Sequence, residues 1–160
     1  MTNSDITIRE ITKADEKSVI CNDILRALPN WFGISESIAD YVAGVQNKPF
    51  YAVFDGGAAV GFVSIKVHNQ YTAEIYVMGI LEAYQRQGLG RKIVAICEEY
   101  CHTNNMAFLT VKTLDEQNPD IFYQRTRLFY QAMGFKPLEV FPLLWDENNP
   151  CLFMAKYVGG

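Results

Sequence analysis

The segment from residue 80 to residue 92, Ile-Leu-Glu-Ala-Tyr-Gln-Arg-Gln-Gly-Leu-Gly-Arg-Lys, constrains this chain more than any other. Apolar residues before it predict a strand over 73–81, and apolar residues at helical spacing after it predict a helix over 88–104. Gly88 and Gly90 have no Cβ atom, so a ligand can approach the main chain closely. Since the first turn of a helix also presents unpaired N–H groups, this junction predicts an anion site.

The anion is expected to be a phosphate, because Arg86, Arg91 and Lys92 add positive charge to the junction. The chain has no Gly-x-x-x-x-Gly-Lys-Ser/Thr run of a nucleoside-triphosphate loop, and Gly88-x-Gly90 lacks the third glycine of the dinucleotide fingerprint. A different phosphate-containing ligand is therefore indicated. Taken alone, two glycines before a helix are also compatible with a plain tight turn.

Hydrophobic periodicity along the rest of the chain predicts a single domain of α+β type with a mixed sheet. A capping-box-like start at Thr12 predicts the first helix, and Gly134 is suited to the left-handed position past the end of the last. The predicted strands are 6–11, 50–54, 59–67, 73–81, 107–113, 137–141 and 151–157, and the predicted helices are 12–28, 35–45, 88–104 and one that ends at 133.

Composition excludes several classes of protein. The chain has 14 Lys+Arg against 18 Asp+Glu, a formal charge of −4, which disfavours nucleic acid as the main partner. No apolar run reaches the roughly 18 residues of a membrane span. The polar start, residues 1–6, has no basic and apolar leader, so we expect a cytoplasmic protein with no membrane partner.

The four cysteines do not have the spacing of a metal site. Cys21, Cys97, Cys101 and Cys151 form no Cys-x-x-Cys pair, and the chain has only two histidines to join them. We expect no metal cofactor, and we interpret Cys97 and Cys101 as small apolar side chains that face the core.

Two further segments make a family resemblance specific. Gln85-x-x-Gly88-x-Gly90 resembles the pyrophosphate loop of the GNAT superfamily of acetyl-CoA-dependent N-acetyltransferases, and the run from Phe129 to Phe135, Phe-Tyr-Gln-Ala-Met-Gly-Phe, is similar to a second signature of that family. The opening Ile-x-Ile-Arg also resembles the family's first strand. The three segments occur in the family's order and span nearly the whole chain.

The resemblance implies one N-acetyltransferase domain over residues 1–160. Its sheet would be mixed, mostly antiparallel and seven-stranded, splayed between the fourth and fifth strands and flanked by about four helices. Acetyl-CoA would be the co-substrate, with its pantetheine arm on the main chain of the fourth strand and its pyrophosphate on the loop. The residues implied in cofactor binding are Gly79, Ile80, Leu81, Gln85, Arg86, Gln87, Gly88, Leu89, Gly90 and Arg91.

The resemblance also implies two catalytic residues. Tyr130 stands where the family places a phenol that gives a proton to the departing thiolate, and Glu74 matches the position of a glutamate base, with Glu82 as the alternative base. The competing interpretations are a core aromatic for Tyr130 and a solvated edge residue for Glu74. For Gly79, which we take as support for a splay or bulge, the alternative is simple packing.

Two positions depart from the family pattern. Thr126 and Tyr123 stand where an alanine and an asparagine are common, so the asparagine contact to pantetheine is in doubt. The loop over 114–120 is also long and acidic. These departures keep a second hypothesis open, a coenzyme A-binding sensor or partner-binding module without turnover.

The acceptor is expected to be a cation, either a small amine or a peptide amine. By resemblance the acceptor site is bounded by the loop between the first two helices and by the last strand pair. Aromatic faces and carboxylates attract cations; these positions hold Trp31, Phe32, Trp145, Asp146 and Glu147. The alternative is that the acids serve solubility and that the tryptophans cover the core. A homodimer is also left open.

Overall fold

The computed structural model describes residues 5–159, so residues 1–4 of the polar start lie outside the described part of the chain. Within that part the chain forms seven strands and four α-helices, in the order that the periodicity predicts. The elements are β1 Ile6–Glu10, α1 Ala14–Arg26, α2 Ser35–Gly44, β2 Phe50–Asp55, β3 Ala58–Asn69, β4 Thr72–Ile80, α3 Leu89–Thr103, β5 Phe108–Leu114, α4 Ile121–Ala132, β6 Lys136–Asp146 and β7 Asn149–Tyr157.

The strands form one seven-stranded sheet in the order β1-β2-β3-β4-β5-β7-β6. β4 and β5 are parallel, whereas β1–β2, β2–β3, β5–β7 and β6–β7 are antiparallel. Pairing between β4 and β5 runs from Thr72 opposite Phe108 to Ile75 opposite Val111, so the later residues of β4 take no part in it. The predicted mixed, mostly antiparallel sheet with four helices is confirmed.

The chain divides into two compact units. The first comprises residues up to Lys66 together with Tyr76–Ile93. α1 buries one face in this unit through Ile20, Ile24 and Leu25, and the rings of Phe50 and Phe62 stack with centroids 5.2 Å apart. Burial of large apolar side chains of this kind is the main favourable term in folding.

The start of α1 differs from the prediction. The helix begins at Ala14 with Lys13 as its N-cap, and no side chain caps it, so the capping box at Thr12 is wrong. The reason lies in the preceding strand: buried Ile11 donates its N–H to the Phe50 carbonyl at 2.9 Å, which prolongs the extended chain. Thr12 therefore lies one residue too early to cap the helix.

Gly79 lies in close contact with α1. A Cβ atom added at this position would lie 3.1 Å from Ile24 Cγ2 and 3.1 Å from Leu28 Cδ1. Such an approach is tighter than ordinary van der Waals contact. Packing against Ile24 of α1 and against Leu28, just after that helix, therefore supports the alternative interpretation of this glycine.

The second unit comprises Val67–Ile75 and the residues from Val94 onward. Leu109 and Met154 are fully buried in it, and Lys156 of β7 forms an ion pair of 3.1 Å with Glu98 of α3.

Asp120 caps α4, because its carboxylate accepts hydrogen bonds from the first N–H groups of the helix. Gly134 follows α4 with φ +97°, which confirms its predicted role.

β6 is longer than predicted. It continues from Lys136 to Asp146 rather than ending at Phe141, because Asp146 pairs with Asn149 across a tight turn to β7. Pro142 interrupts the apolar pattern of the sequence at this point, and the regular pairing with β7 is also interrupted after Phe141. Trp145 and Asp146 thus stand at the end of a strand.

The four cysteines are buried and unpaired, which agrees with the interpretation of Cys97 and Cys101 as core residues. Burial raises the pKa of Cys21 to about 12 and is the main cause that raises those of Cys101 and Cys151 to about 11. Residues 5–159 contain no group of three or more side chains that could hold a metal ion. No helix within them is long and apolar enough to cross a membrane.

Candidate active site

The predicted phosphate loop follows β4 in the first unit. A turn of 3-10 helix over Glu82–Tyr84 leads into it, and the Gln85 side chain donates from Nε2 back to the Ile80 carbonyl at 2.8 Å. Arg86 and Gly88 both adopt left-handed backbone conformations, with φ +62° and +83°. Left-handed residues in a loop can turn neighbouring N–H groups toward one side, a geometry that suits an anion.

The loop is accessible and positively charged. Arg86, Gln87 and Gly88 are exposed, as are Arg91 and Lys92 in the first turn of α3. Lys92 donates its N–H to the Gly88 carbonyl at 3.2 Å, so the helix ladder begins at Gly88. The N–H groups of the residues before Lys92 lie at the positive end of the helix dipole.

Some main-chain groups at the end of β4 already form hydrogen bonds within the protein. The Leu81 N–H donates to the Val60 carbonyl at 2.9 Å, and the Leu81 carbonyl accepts from the Tyr84 N–H at 2.8 Å. Leu81 is therefore already engaged within the first unit. Ile80 accepts the Gln85 side chain, which joins the strand end to the loop.

Glu74 lies in the second unit, at the centre of a group of polar side chains. Its side chain is only 6% exposed, and the Lys112 Nζ atom lies 2.9 Å from its Oε1 and 3.0 Å from its Oε2. The His68 Nε2 atom lies 2.6 Å from the same Oε1. The interpretation of Glu74 as a solvated edge residue is therefore wrong.

His68 and Lys112 are functional candidates that the sequence reasoning missed. The parallel register sets Glu74 opposite Thr110, so Lys112, two residues further along β5, lies on the same face of the sheet. Lys112 also lies 5.8 Å from the centre of the Phe153 ring. The pairing register brings Lys112 beside Glu74, and their separation of 38 residues along the chain carries no signal of it. His68 is six residues from Glu74, across the turn from β3 to β4.

Tyr130 is buried near the end of α4, with 6% of its surface exposed. Its ring lies 5.4 Å from that of Phe129 and 5.6 Å from that of Phe135, measured between centroids. The Tyr130 carbonyl accepts a hydrogen bond from the Phe135 N–H at 3.0 Å, which ties the residue after Gly134 back to the helix. The aromatic neighbours therefore hold the phenol in one orientation.

The positions that depart from the family pattern have local roles in α4. The Thr126 hydroxyl donates to the Phe122 carbonyl at 3.2 Å, and the Tyr123 N–H donates to the capping carboxylate of Asp120. Asp115 in the acidic loop is buried, and its side chain accepts from the Gln117 N–H. Part of the acidic character of that loop thus has a structural cause.

Glu82, the alternative base, is exposed at the first residue of its turn.

Trp31 and Phe32 belong to a group of half-buried aromatic side chains in the first unit, where they pack against the hydrophobic core. The ring of Phe32 lies 6.2 Å from that of Tyr41, which in turn lies 5.4 Å from that of Tyr76. The Lys48 ammonium group lies 4.4 Å from the centre of the Tyr76 ring. The Lys48 ammonium group therefore already covers one face of the Tyr76 ring.

Trp145, Asp146 and Glu147 are exposed at the turn between β6 and β7 in the second unit. The Asp146 carboxylate accepts hydrogen bonds from the Asn148 N–H at 2.9 Å and from the Asn149 side chain. Asp146 thus stabilises the turn, while Glu147 is available to solvent. Trp145 is 44% exposed, which is high for so large an apolar side chain.

Comparison with known proteins identifies the family of this chain. Residues 46–137 match the family model of the acetyltransferase (GNAT) domain. Because that match covers more than half of the chain, the chain belongs to the GNAT acetyltransferase family. The resemblance inferred from its sequence motifs is confirmed.

Solved structures of acetyltransferases have the same fold. An aminoglycoside 6'-N-acetyltransferase complexed with coenzyme A is 17% identical, with a TM-score of 0.76 over 96% of this chain and 98% of that one. The ribosomal-protein-S18-alanine N-acetyltransferase from Escherichia coli is 16% identical, with a TM-score of 0.74 over 97% of this chain and 95% of that one.

A curated relative is similar over a short stretch. Mycothiol acetyltransferase from Corynebacterium efficiens is 43% identical over 44 residues, which is 28% of this chain. The chain covers 15% of the length of that protein.

Proposed function

We propose that the protein transfers an acetyl group from acetyl-CoA to a primary amine of a small cationic molecule or of a peptide. The observation that carries this proposal is the loop before α3, in which left-handed Arg86 and Gly88 lead into a helix N-terminus with exposed cations. A pyrophosphate bound there would be stabilised by main-chain N–H groups and by the helix dipole. We propose further that residues 1–160 act as one domain, in the cytoplasm.

Cofactor binding is proposed for two stretches of the first unit. The main chain at Gly79, Ile80 and Leu81 would bind the pantetheine arm, and the loop over 85–91 would bind the pyrophosphate. The Leu81 N–H is engaged with Val60 and the Leu81 carbonyl accepts from the Tyr84 N–H, so Leu81 could contribute only through the second lone pair of that carbonyl oxygen. The solved relative with coenzyme A supports a cofactor of this class.

The proposed reaction is direct attack of the amine on the thioester carbonyl. A nitrogen–carbon bond forms, the carbon–sulfur bond breaks, and the thiolate of coenzyme A takes a proton from the Tyr130 hydroxyl, which solvent then replaces. The amine must lose a proton in the same process, and we assign that task to the group around Glu74. Phenols and thiols have ordinary pKa values of about 10 and 8.5, close enough for such a transfer.

The acceptor is proposed to be held through its positive charge. The half-buried rings of Trp31 and Phe32 offer apolar faces to a cation, and Trp145, Asp146 and Glu147 offer an exposed ring and carboxylates. The Tyr76 ring is excluded from this role, because Lys48 already lies over it.

The experiment is release of free thiol from acetyl-CoA in the presence of a polyamine, an aminated sugar and a peptide with a free N-terminus, each in turn. We expect release above the background rate with at least one cationic amine and none with an anionic one. Calorimetric titration of coenzyme A accompanies the assay. Tight coenzyme A binding without thiol release from any amine would instead favour a sensor, and loss of both would overturn the proposal.

A further inference from the structure

Both carboxylate oxygens of Glu74 already have partners. Lys112 contacts Oε1 and Oε2, and His68 contacts Oε1 as well. Contact of the Lys112 ammonium group with both oxygens is the geometry of an ionised carboxylate. Glu74 therefore receives hydrogen bonds at each of its oxygens before any acceptor amine arrives.

The ion pair determines which nitrogen of His68 carries a proton. An ionised carboxylate can only accept, so His68 must donate from Nε2 across the 2.6 Å contact to Glu74. In a neutral imidazole the other nitrogen, Nδ1, then carries the lone pair. No hydrogen bond within residues 5–159 engages Nδ1, and 31% of the His68 side chain is exposed.

We propose that His68 Nδ1, rather than Glu74 itself, takes the proton from the acceptor amine. Glu74 acts as a positioning residue that holds the imidazole in the Nε2–H tautomer and stabilises the imidazolium ion that forms. Lys112 holds Glu74 in turn. This inference rests on the proposed acetyl transfer, and it identifies the atom that accepts the proton from the acceptor amine.

The proton balance of the step is closed. The reacting amine attacks in its neutral form, and the positive charge that holds the acceptor lies on another group of the molecule. His68 Nδ1 accepts one proton from the amine nitrogen as the nitrogen–carbon bond forms and the carbon–sulfur bond breaks, and it later releases that proton to water. The thiolate receives its proton from Tyr130. The products are the acetylated amine and free coenzyme A, with His68 and Tyr130 restored by exchange with solvent.

The test uses two substitutions at His68 and a matched control at the other histidine of the chain. H68A removes the ring. H68Q supplies an amide N–H that can still donate to Glu74 but has no basic nitrogen. H102A is the control, since the His102 ring contacts the Val158 carbonyl instead, at 2.9 Å. We expect kcat to fall by about 10²-fold in both His68 variants, the low end for general base catalysis, and to stay unchanged in H102A.

Added imidazole separates a proton acceptor from a positioning role. Imidazole should restore kcat in H68A, with little effect on the KM for acetyl-CoA, because a free ring can occupy the vacated space and accept the proton. Retained activity in H68Q would show that His68 only positions Glu74 and would overturn the inference. Unaltered kcat in H68A would do the same.

A readout that does not depend on turnover accompanies the kinetics. Nitrogen-15 spectra of the neutral His68 ring should show a protonated Nε2 and an unprotonated Nδ1, and K112M should weaken that preference by loosening Glu74. The opposite tautomer would overturn the inference. A wild type that transfers no acetyl group to any amine, while it shows the expected tautomer, would count against the proposed function and with it the role of His68.

Discussion

The Tyr84 hydroxyl group donates a hydrogen bond of 2.5 Å to Asp55 Oδ2, and this contact joins the turn after β4 to the end of β2 within the first unit. The bond is also the main cause that raises the pKa of Tyr84, with desolvation and the Asp55 charge as further causes. Tyr84 immediately precedes Gln85, the first residue of the proposed pyrophosphate loop. The contact therefore anchors the start of that loop to a hairpin.

Removal of this anchor is expected to weaken cofactor binding. The change Y84F deletes the hydroxyl and leaves the ring, so the loop start loses its link to Asp55 while its apolar packing remains. We expect a higher Kd for coenzyme A by calorimetry, with the protein still folded by circular dichroism. Y71F, at an exposed tyrosine of the β3–β4 turn, is the control. Equal affinities in Y84F and wild type would show that the anchor has no influence on the loop.

Substitution of Gly88 tests the loop directly. G88A places a Cβ atom on a residue with φ +83°, a conformation that costs an L-residue roughly 1–2 kcal/mol. Relief of that strain would rotate the loop N–H groups, so coenzyme A affinity should fall by about tenfold, which corresponds to about 1.4 kcal/mol. G57A is a matched control, because a Cβ there meets open space without positive φ. Unchanged affinity in G88A would contradict the placement of the pyrophosphate.

The phenol of Tyr130 is expected to matter for turnover more than for binding. Y130F removes the proposed proton donor but keeps the ring that packs beside Phe129 and Phe135. A thiolate is already a fair leaving group, so kcat should fall by about 10²-fold, the low end of general acid effects, with little change in the Kd for acetyl-CoA. Y71F, at the exposed tyrosine of the β3–β4 turn, should behave as wild type. An unchanged kcat, where chemistry limits the rate, would remove Tyr130 from the mechanism.

Charge at the β6–β7 turn tests the acceptor proposal. The double change D146N and E147Q removes two carboxylates, and the amide oxygen introduced at position 146 can still accept the turn hydrogen bond from the Asn148 N–H. We expect a higher KM for a cationic amine, more so at low salt, since exposed charges are screened over about 10 Å at 0.1 M. E139Q removes an exposed carboxylate elsewhere on β6 and should not change KM. An anionic best substrate, or an unaltered KM at low salt, would refute an acidic acceptor site.

Stability should decline in alkaline solution because of the buried thiols. Burial, with a smaller contribution from the Glu98 charge, raises the pKa of Cys101 from 9.0 to about 11. Between these values the unfolded thiol is ionised and the folded one is not, so the unfolded state binds fewer protons and the free energy of unfolding falls as pH rises. One such thiol contributes a slope of up to about 1.4 kcal/mol per pH unit. Urea unfolding from pH 8 to pH 11 should show a shallower decline in C101A, and parallel curves would contradict this account.

Much of the architecture could be predicted from local chemistry. The order of strands and helices follows from hydrophobic periodicity, and the left-handed conformation of Gly134 follows from its lack of a Cβ atom. The loop before α3 is equally local, because its two glycines and its cations are neighbours in sequence. Local patterns did not predict where α1 begins. A further strand hydrogen bond at Ile11 prolongs the extended chain, so the helix starts after Thr12.

The family resemblance in the sequence was enough to single out Glu74 and Tyr130 as candidate site residues, but it did not single out His68. The surroundings of Glu74 and Tyr130 depend on contacts between segments that are distant in the chain. His68, Glu74 and Lys112 come from three strands, and they meet because the parallel register of β4 and β5 sets Glu74 two residues away from Lys112 on one face. Likewise, Gly79 is explained by the side chains of α1 that cover it. Contacts between distant segments depend on register and packing, which no single stretch of sequence contains.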